Sequence, residues 1–267
     1  MFKARRIASE LTLREIQSID ELFQSYSDVQ WAQNYIINHK YRCADDLKII
    51  KANSSISKPT ILNIGGAPYI FEALCNANDL SCVSFDLDPD RFKSVIKRNN
   101  VNVKKVNIES PGFFNGSSKE KYDVVLLAEV FEHLRIDIIQ TLDRLKDFLS
   151  TESKLLITTP NFFYFRRFIS FLINDRSGPS LVEEWGKLSN LGHMGHVREY
   201  SKKELIEFFE STGFKVEKVY YRNRTSSVVK SRKSLIPSFI SYILEHYNKR
   251  FVEEFVFVLV KSEMKVR

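Results

Sequence analysis

Nowhere in the 267 residues is there a run of the roughly 18 apolar side chains that a bilayer-crossing helix needs, so no transmembrane segment is expected. Cysteine is equally scarce. Cys43, Cys75 and Cys82 make an odd count with no CxxC spacing, which implies no disulfide framework and points to a reducing compartment, the cytoplasm. The basic opening stretch Met1–Ile16 is followed by no apolar core, unlike a secretory signal. Internal repeats and low-complexity tracts are also lacking. What remains is an ordinary globular composition, 43% apolar and 27% charged, in a chain long enough to bury a large core without covalent staples.

The net charge of +7 is unevenly spread. Arg222, Arg224, Lys230, Arg232, Lys233, Lys249 and Arg250 face only Glu245 as counter-charge between positions 222 and 250. A basic patch of this kind suits a phosphate-bearing partner or an anionic membrane surface, and a solvated surface segment would read the same way.

Periodicity divides the chain. Residues 1 to about 50 have apolar side chains at helical spacing, and a polar linker ending in Pro59 follows. Beyond it, short apolar runs predict strands at 60–64, 81–85, 101–108, 122–127, 154–159, 214–221 and 254–260. Helices are expected between them at 69–77, 89–99, 136–149 and 201–212, the last opened by a Ser201–Glu204 capping box and closed by Gly213. Such alternation predicts an α/β fold: a seven-stranded, mostly parallel Rossmann-like sheet with helices on both faces and an antiparallel strand near one edge. The expected organisation is an N-terminal helical extension over 1–54 packing on a domain over 55–267. That domain carries insertions at about 161–195 and, as a helical insertion before the last strand, 222–250.

Parallel sheets bind ligands at the carboxyl ends of their strands, near the reversal of strand order. The first strand ends in Asn63-Ile64-Gly65-Gly66-Ala67, where glycines let backbone approach a ligand and the next helix offers amide donors. Asp86 ends the second strand about 20 residues on, where a carboxylate can accept both hydroxyls of a ribose. A nicotinamide dehydrogenase would need a GxGxxG turn, which is absent.

With these features in place the chain resembles the class I S-adenosylmethionine-dependent methyltransferases. Residues 122–134, YDVVLLAEVFEHL, are similar to that family's "YDVV…EVxEHL" stretch, and Gly195–Ser201 through Gly213-Phe214 to the segment before its last strands. The resemblance covers roughly residues 55–221 and 251–262. It implies S-adenosylmethionine as cofactor, held by Asn63, Gly65, Gly66, Ala67, Asp86, Leu87, Asn107, Ile108 and Glu129. The chain departs from the family in its first motif: Asn63 stands for the usual acid, and Ala67 and Tyr69 replace glycines, with Tyr69 expected to crowd the turn.

Glu129, Glu132 and His133 are spaced i, i+3, i+4. On one helical turn they would share a face and, with His196, could hold a divalent cation such as magnesium or manganese. The same ExxEH arrangement resembles that of small-RNA 2′-O-methyltransferases and of ubiquinone-pathway O-methyltransferases. The expected catalytic residues are His133, Glu129 and His196, which would take the proton from an acceptor hydroxyl.

On the acceptor side, Asn161–Ile173 is aromatic and cationic, with Arg166 and Arg167 able to bind phosphate. Together with Leu235–Tyr247 it suits a lid or a peripheral membrane contact. The leading expectation is O-methylation of a sugar, glycan or small-molecule hydroxyl, lipid- or phosphate-linked forms included. Metal-dependent 2′-O-methylation of RNA is the alternative, disfavoured because no RNA-binding module is recognisable. Thr159-Pro160-Asn161-Phe162 lacks the (N/D)PP(Y/F) motif of base N-methyltransferases. A non-catalytic cofactor-binding scaffold is the reading from another class, motivated by Asn63, Ala67 and Tyr69.

Overall fold

The computed structural model describes residues 5–6, 10–110, 120–175, 180, 182, 186, 195–223 and 248–262. Eight strands form one sheet: β1 (Arg5–Arg6), β2 (Ile61–Ile64), β3 (Cys82–Asp86), β4 (Val103–Lys105), β5 (Tyr122–Ala128), β6 (Leu149–Pro160), β7 (Phe214–Asn223) and β8 (Glu254–Lys261). Their order is β1-β7-β8-β6-β5-β2-β3-β4. The pairs from β6 through β5, β2 and β3 to β4 are parallel, while β8 runs antiparallel between β6 and β7. The seven-stranded, mostly parallel sheet expected from the sequence is therefore β2–β8. The two-residue β1 extends its edge by pairing in parallel with β7, inside a stretch that reads as helical.

Helices are α1 (Leu13–Ser25), α2 (Gln30–Asn53), α3 (Ile70–Ala77), α4 (Lys93–Arg98), α5 (Ile138–Leu145), α6 (Phe165–Asn174) and α7 (Lys202–Ser211). Reciprocal capping boxes open α1 at Thr12–Glu15 and α7 at Ser201–Glu204, satisfying amides that a first turn cannot bond internally. Gly213 follows α7 at φ +80°, a left-handed conformation in which glycine lacks the penalty of a Cβ. Two elements are shorter than the sequence suggests. The third expected strand, 101–108, shrinks to three residues, and the expected helix over 136–149 ends at Leu145 because a 3₁₀ turn leads straight into β6.

Strand side chains alternate between faces, and the buried residues separate accordingly. Ile61, Val124, Leu126, Leu156, Val256 and Val258 pack in one core with residues of α1, α2, α3 and α4. Leu62, Val125, Leu127, Leu155, Ile157 and Phe257 pack in the other, with residues of α5 and α7.

Arg222, grouped by sequence with the surface basic cluster, is 1% exposed. Its guanidinium donates to Asp46 Oδ1 at 2.6 Å, to Asp45 Oδ2 at 3.3 Å and to Glu254, its register partner across β7 and β8. Two α2 carboxylates thus meet the sheet through one cation. Burial pushes Asp46 up to about 6, against the pull of Arg222 and Arg42. Lys249 lies over the Tyr221 ring at 5.1 Å, and Arg224, Lys230, Arg232, Lys233 and the 235–247 segment fall outside the described residues. Removing one partner of a buried ion network strands the others, so Arg222→Ala should lose about 3–5 kcal/mol of stability in urea unfolding. A loss below about 1 kcal/mol, the range of surface pairs, would contradict this role.

Candidate cofactor and acceptor site

Because β2, β3 and β5 are parallel neighbours, their carboxyl ends open on the same edge of the sheet. At the end of β2, Gly65 adopts φ +76°, and a Cβ built there would lie 2.6 Å from Val130 Cγ2. At Gly66 a Cβ would meet Glu72 Oε1 and come within 2.6 Å of Ser84 Oγ. Gly65 is thus fixed by conformation and space and Gly66 by space, and the turn lies directly against the segment after β5. Asp86, 6% exposed, closes the same corner. Its Oδ2 accepts from Ala67 N at 3.3 Å and its Oδ1 from Asp88 N at 2.9 Å. Leu87 is 53% exposed beside it, and Ile108 is buried in the core that holds Phe85. Asn107 is exposed, its Oδ1 accepting from Glu109 N at 3.0 Å.

Tyr69 does not crowd the turn. In a left-handed conformation (φ +63°) its side chain turns into the core, wholly buried and edge-on to Phe92. Asn63 is buried too, and its amide donates to Glu72 Oε1 at 2.7 Å. Ser84 Oγ donates to the same oxygen. Glu72, a lone acid in the apolar run Ile70–Cys75, therefore lies under the turn, where the sequence reading placed no residue. An ionisable side chain in an otherwise apolar helix was the signal available.

The segment after β5 corrects the expected helical face. Glu129 stands alone at φ +57°, and only Phe131–His133 form a turn, so Glu129 does not stack above Glu132 and His133. It turns instead toward Thr158, whose Oγ1 accepts from Glu129 N at 3.1 Å and lies 3.2 Å from Glu129 Oε1. Arg42 Nη1 of α2 stands 3.8 Å from the same carboxylate oxygen. Two positive-φ residues without glycine's freedom, Tyr69 and Glu129, border one corner of the sheet, and strain of this kind concentrates at functional sites.

Glu132, His133 and His196 do converge, with one ligand atom from each lying within 4.8 Å of the others. The two imidazoles meet edge to face at 5.0 Å between centroids. Glu132 is 1% exposed, accepts from Thr159 Oγ1 at 3.2 Å, and its backbone carbonyl accepts from Val197 N at 2.8 Å, which brings the later loop onto the turn. His133 Nδ1 lies 3.1 Å from Gly195 O. A carbonyl only accepts, so Nδ1 carries the proton there and the lone pair falls on Nε2. His196 Nδ1 faces Glu199 Oε1 at 2.5 Å, and its Nε2 stands 3.8 Å from Glu132 Oε1. Glu199 also pairs with Arg167. One carboxylate and two imidazoles fit a divalent cation, but they shift the preference from magnesium toward metals that accept nitrogen.

Comparison with known proteins bears on this arrangement. A family model described as a methyltransferase domain matches residues 35–219. No curated protein matches the chain by sequence. Among solved structures, a chain of the complex between the Haloferax volcanii Trm112 methyltransferase activator and its methyltransferase superposes with a TM-score of 0.57 at 13% identity, covering 92% of this chain and 100% of that one. The Burkholderia thailandensis 1,6-didemethyltoxoflavin-N1-methyltransferase, solved with 1,6-didemethyltoxoflavin and S-adenosylhomocysteine, gives 0.55 at 13%, covering 96% and 93%. A SAM-dependent methyltransferase from Archaeoglobus fulgidus gives 0.52 at 17%, covering 85% and 99%. At these identities the likeness is one of fold.

Two space-limited glycines and a carboxylate at the ends of adjacent strands fit an adenosine-bearing cofactor. Asp86→Ala should weaken S-adenosylhomocysteine binding roughly tenfold or more by calorimetry, the scale of a lost charged hydrogen bond. Unchanged affinity would show that the ribose does not sit on Asp86.

Proposed function

The chain belongs to the methyltransferase-domain family, within the class I S-adenosylmethionine-dependent superfamily, and we propose that it methylates a hydroxyl on a sugar, glycan or other small-molecule acceptor in the cytoplasm. The observation that carries this reading is the imidazole pair beside the cofactor turn, with the lone pair of His133 on Nε2. A neutral amine is nucleophilic as it stands, whereas a hydroxyl must lose a proton as it attacks. A positioned base is therefore of most use to an oxygen acceptor.

Bound S-adenosylmethionine supplies an activated methyl group; the residues of this chain bind, orient and deprotonate. Gly65, Gly66 and Ala67 offer close backbone approach, Asp86 and Leu87 take the ribose and adenine side, and Asn107 and Ile108 flank it. Glu129, anchored by Thr158 and Arg42, faces the cofactor's other end. His133 accepts the acceptor's proton at Nε2. His196, held by Glu199, adds a second polar wall, and Glu132 behind both stabilises the imidazolium that forms. Proximity of the two reactants supplies much of the remaining rate. The exposed Phe162, Phe163, Phe168 and Phe171 after β6 support an acceptor with an apolar or lipid-linked part, reached at a membrane surface or in solution. Among the described residues no helix is long and apolar enough to cross a membrane.

A second reading has its own observation. The spacing of Glu132, His133 and His196 suits a divalent cation, which would lower the pKa of a bound hydroxyl, as a metal-dependent 2′-O-methyltransferase of RNA requires. His133→Ala should lower kcat by about a hundredfold or more, the usual share of a general base, while leaving S-adenosylhomocysteine affinity within about twofold. Equal losses in both would make His133 a binding residue instead. Exhaustive chelation should abolish activity, with recovery on adding Mn²⁺, only if the second reading holds. Activity that survives chelation leaves His133 acting alone.

A further inference from the structure

We propose that Glu72 is the carboxylate of the cofactor turn: with Asn63 it receives the α-ammonium group at the methionine end of S-adenosylmethionine. The assignment rests on the cofactor reading above. It accounts for the departure in the first motif, where the uncharged Asn63 stands in place of the acid that the family resemblance implies. The charge has moved to α3, nine residues on, and sits against Asn63.

The hydrogen bonds define what is missing. Glu72 Oε1 is satisfied twice, by Asn63 Nδ2 at 2.7 Å and by Ser84 Oγ. That contact fixes the Asn63 amide, since its nitrogen must face the carboxylate and its oxygen must point away. Both remaining acceptors, Glu72 Oε2 and Asn63 Oδ1, are buried and accept from no donor. The two residues are 2% and 3% exposed. Buried acceptors left without a donor are costly, more so when charged. A primary ammonium, with three donors and no acceptor, has the kind of donor both lack and neutralises the carboxylate. Gly66 lies directly over the Glu72–Ser84 contact, since a Cβ built there would meet Glu72 Oε1 and Ser84 Oγ.

The free protein carries a proton signature of the same arrangement. Burial pushes the Glu72 carboxyl up to about 7, reinforced by the charge of Asp86 and opposed by its bonds to Ser84 and Asn63. The other titratable groups facing it are Asp86 and Cys82 of β3, Cys43 of α2, Tyr26 at the end of α1 and Tyr69 of the turn. Burial drives the Cys43 thiol up to about 12, and both tyrosines are likewise raised by burial, so none of these three titrates near neutrality. Cys82 is also raised, first by its hydrogen bond with Cys75 and then by burial. An ammonium binds the ionised carboxylate, so cofactor affinity should rise as pH increases through about 7. Stability of the ligand-free protein runs the opposite way. A carboxyl whose folded value exceeds its unfolded 4.5 stabilises the fold below 4.5 and loses that contribution as pH approaches about 7.

Calorimetry on the full chain tests the assignment with S-adenosylhomocysteine and its analogue lacking the α-amino group. The wild type should prefer the amino-bearing ligand roughly tenfold to a hundredfold, the scale of a charge-assisted bond. Glu72→Gln should lose most of that preference and the pH dependence, and Asn63→Asp placed in the same variant should restore the preference. A folded Glu72→Gln protein that discriminates as the wild type does would overturn the assignment. Should that variant not fold, a wild type indifferent to the amino group overturns it equally. A wild type that binds neither ligand would instead sink the cofactor reading itself.

Discussion

Three elements of the fold meet on one buried carboxylate. Glu72 rides on α3, accepts from Asn63 of β2 and from Ser84 of β3, and lies under the glycine turn that joins β2 to α3. The parallel pairing of β2 with β3 sets Asn63 directly beside Ser84, so both donors arrive at one oxygen. That convergence fixes how closely α3 approaches the sheet and leaves no room for a side chain at position 66. Two strands further on, Val130 fills the space that a side chain at position 65 would need, and it opens the segment that carries Glu132 and His133. The β2 turn and the segment after β5 are therefore packed against each other.

A second buried network works on the same face of the sheet, toward its β7 and β8 strands. Arg222 joins Asp45 and Asp46 of α2 to Glu254 of β8, and Arg42, from the same stretch of α2, stands beside Glu129 at the end of β5. The N-terminal helices thereby reach the end of β5 through charge as well as apolar packing. Desolvation makes such networks costly to build and damaging to break, so their value lies in holding one arrangement.

Much of this was legible in the sequence because it depends on local pattern. Short apolar runs, glycines at a strand end, a carboxylate about 20 residues on and the YDVVLLAEVFEHL segment located β2, β3, β5 and the turns after them. Elements whose geometry is set by distant partners were not legible. Arg222 reads as a surface cation because two of the carboxylates that bury it, Asp45 and Asp46, are 177 and 176 positions away. Glu129, Glu132 and His133 read as one helical face, but Thr158 and Arg42 hold Glu129 in a left-handed conformation that breaks the helix before it starts. Tyr69 reads as an obstruction until its backbone turns the ring into the core against Phe92. Even so, Glu132, His133 and His196 come together, since the loop around residue 196 bonds back onto the Glu132 carbonyl.

The proposed function depends on one placement, that of the cofactor across the β2 turn between Asp86 and the post-β5 segment. A crystal structure with S-adenosylhomocysteine bound tests it most directly. Density is expected across Gly65–Ala67, with the ribose hydroxyls on Asp86, the amino group facing Asn63 and Glu72, and the sulfur directed toward His133. Density at any other edge of the sheet, or a ribose remote from Asp86, would contradict it.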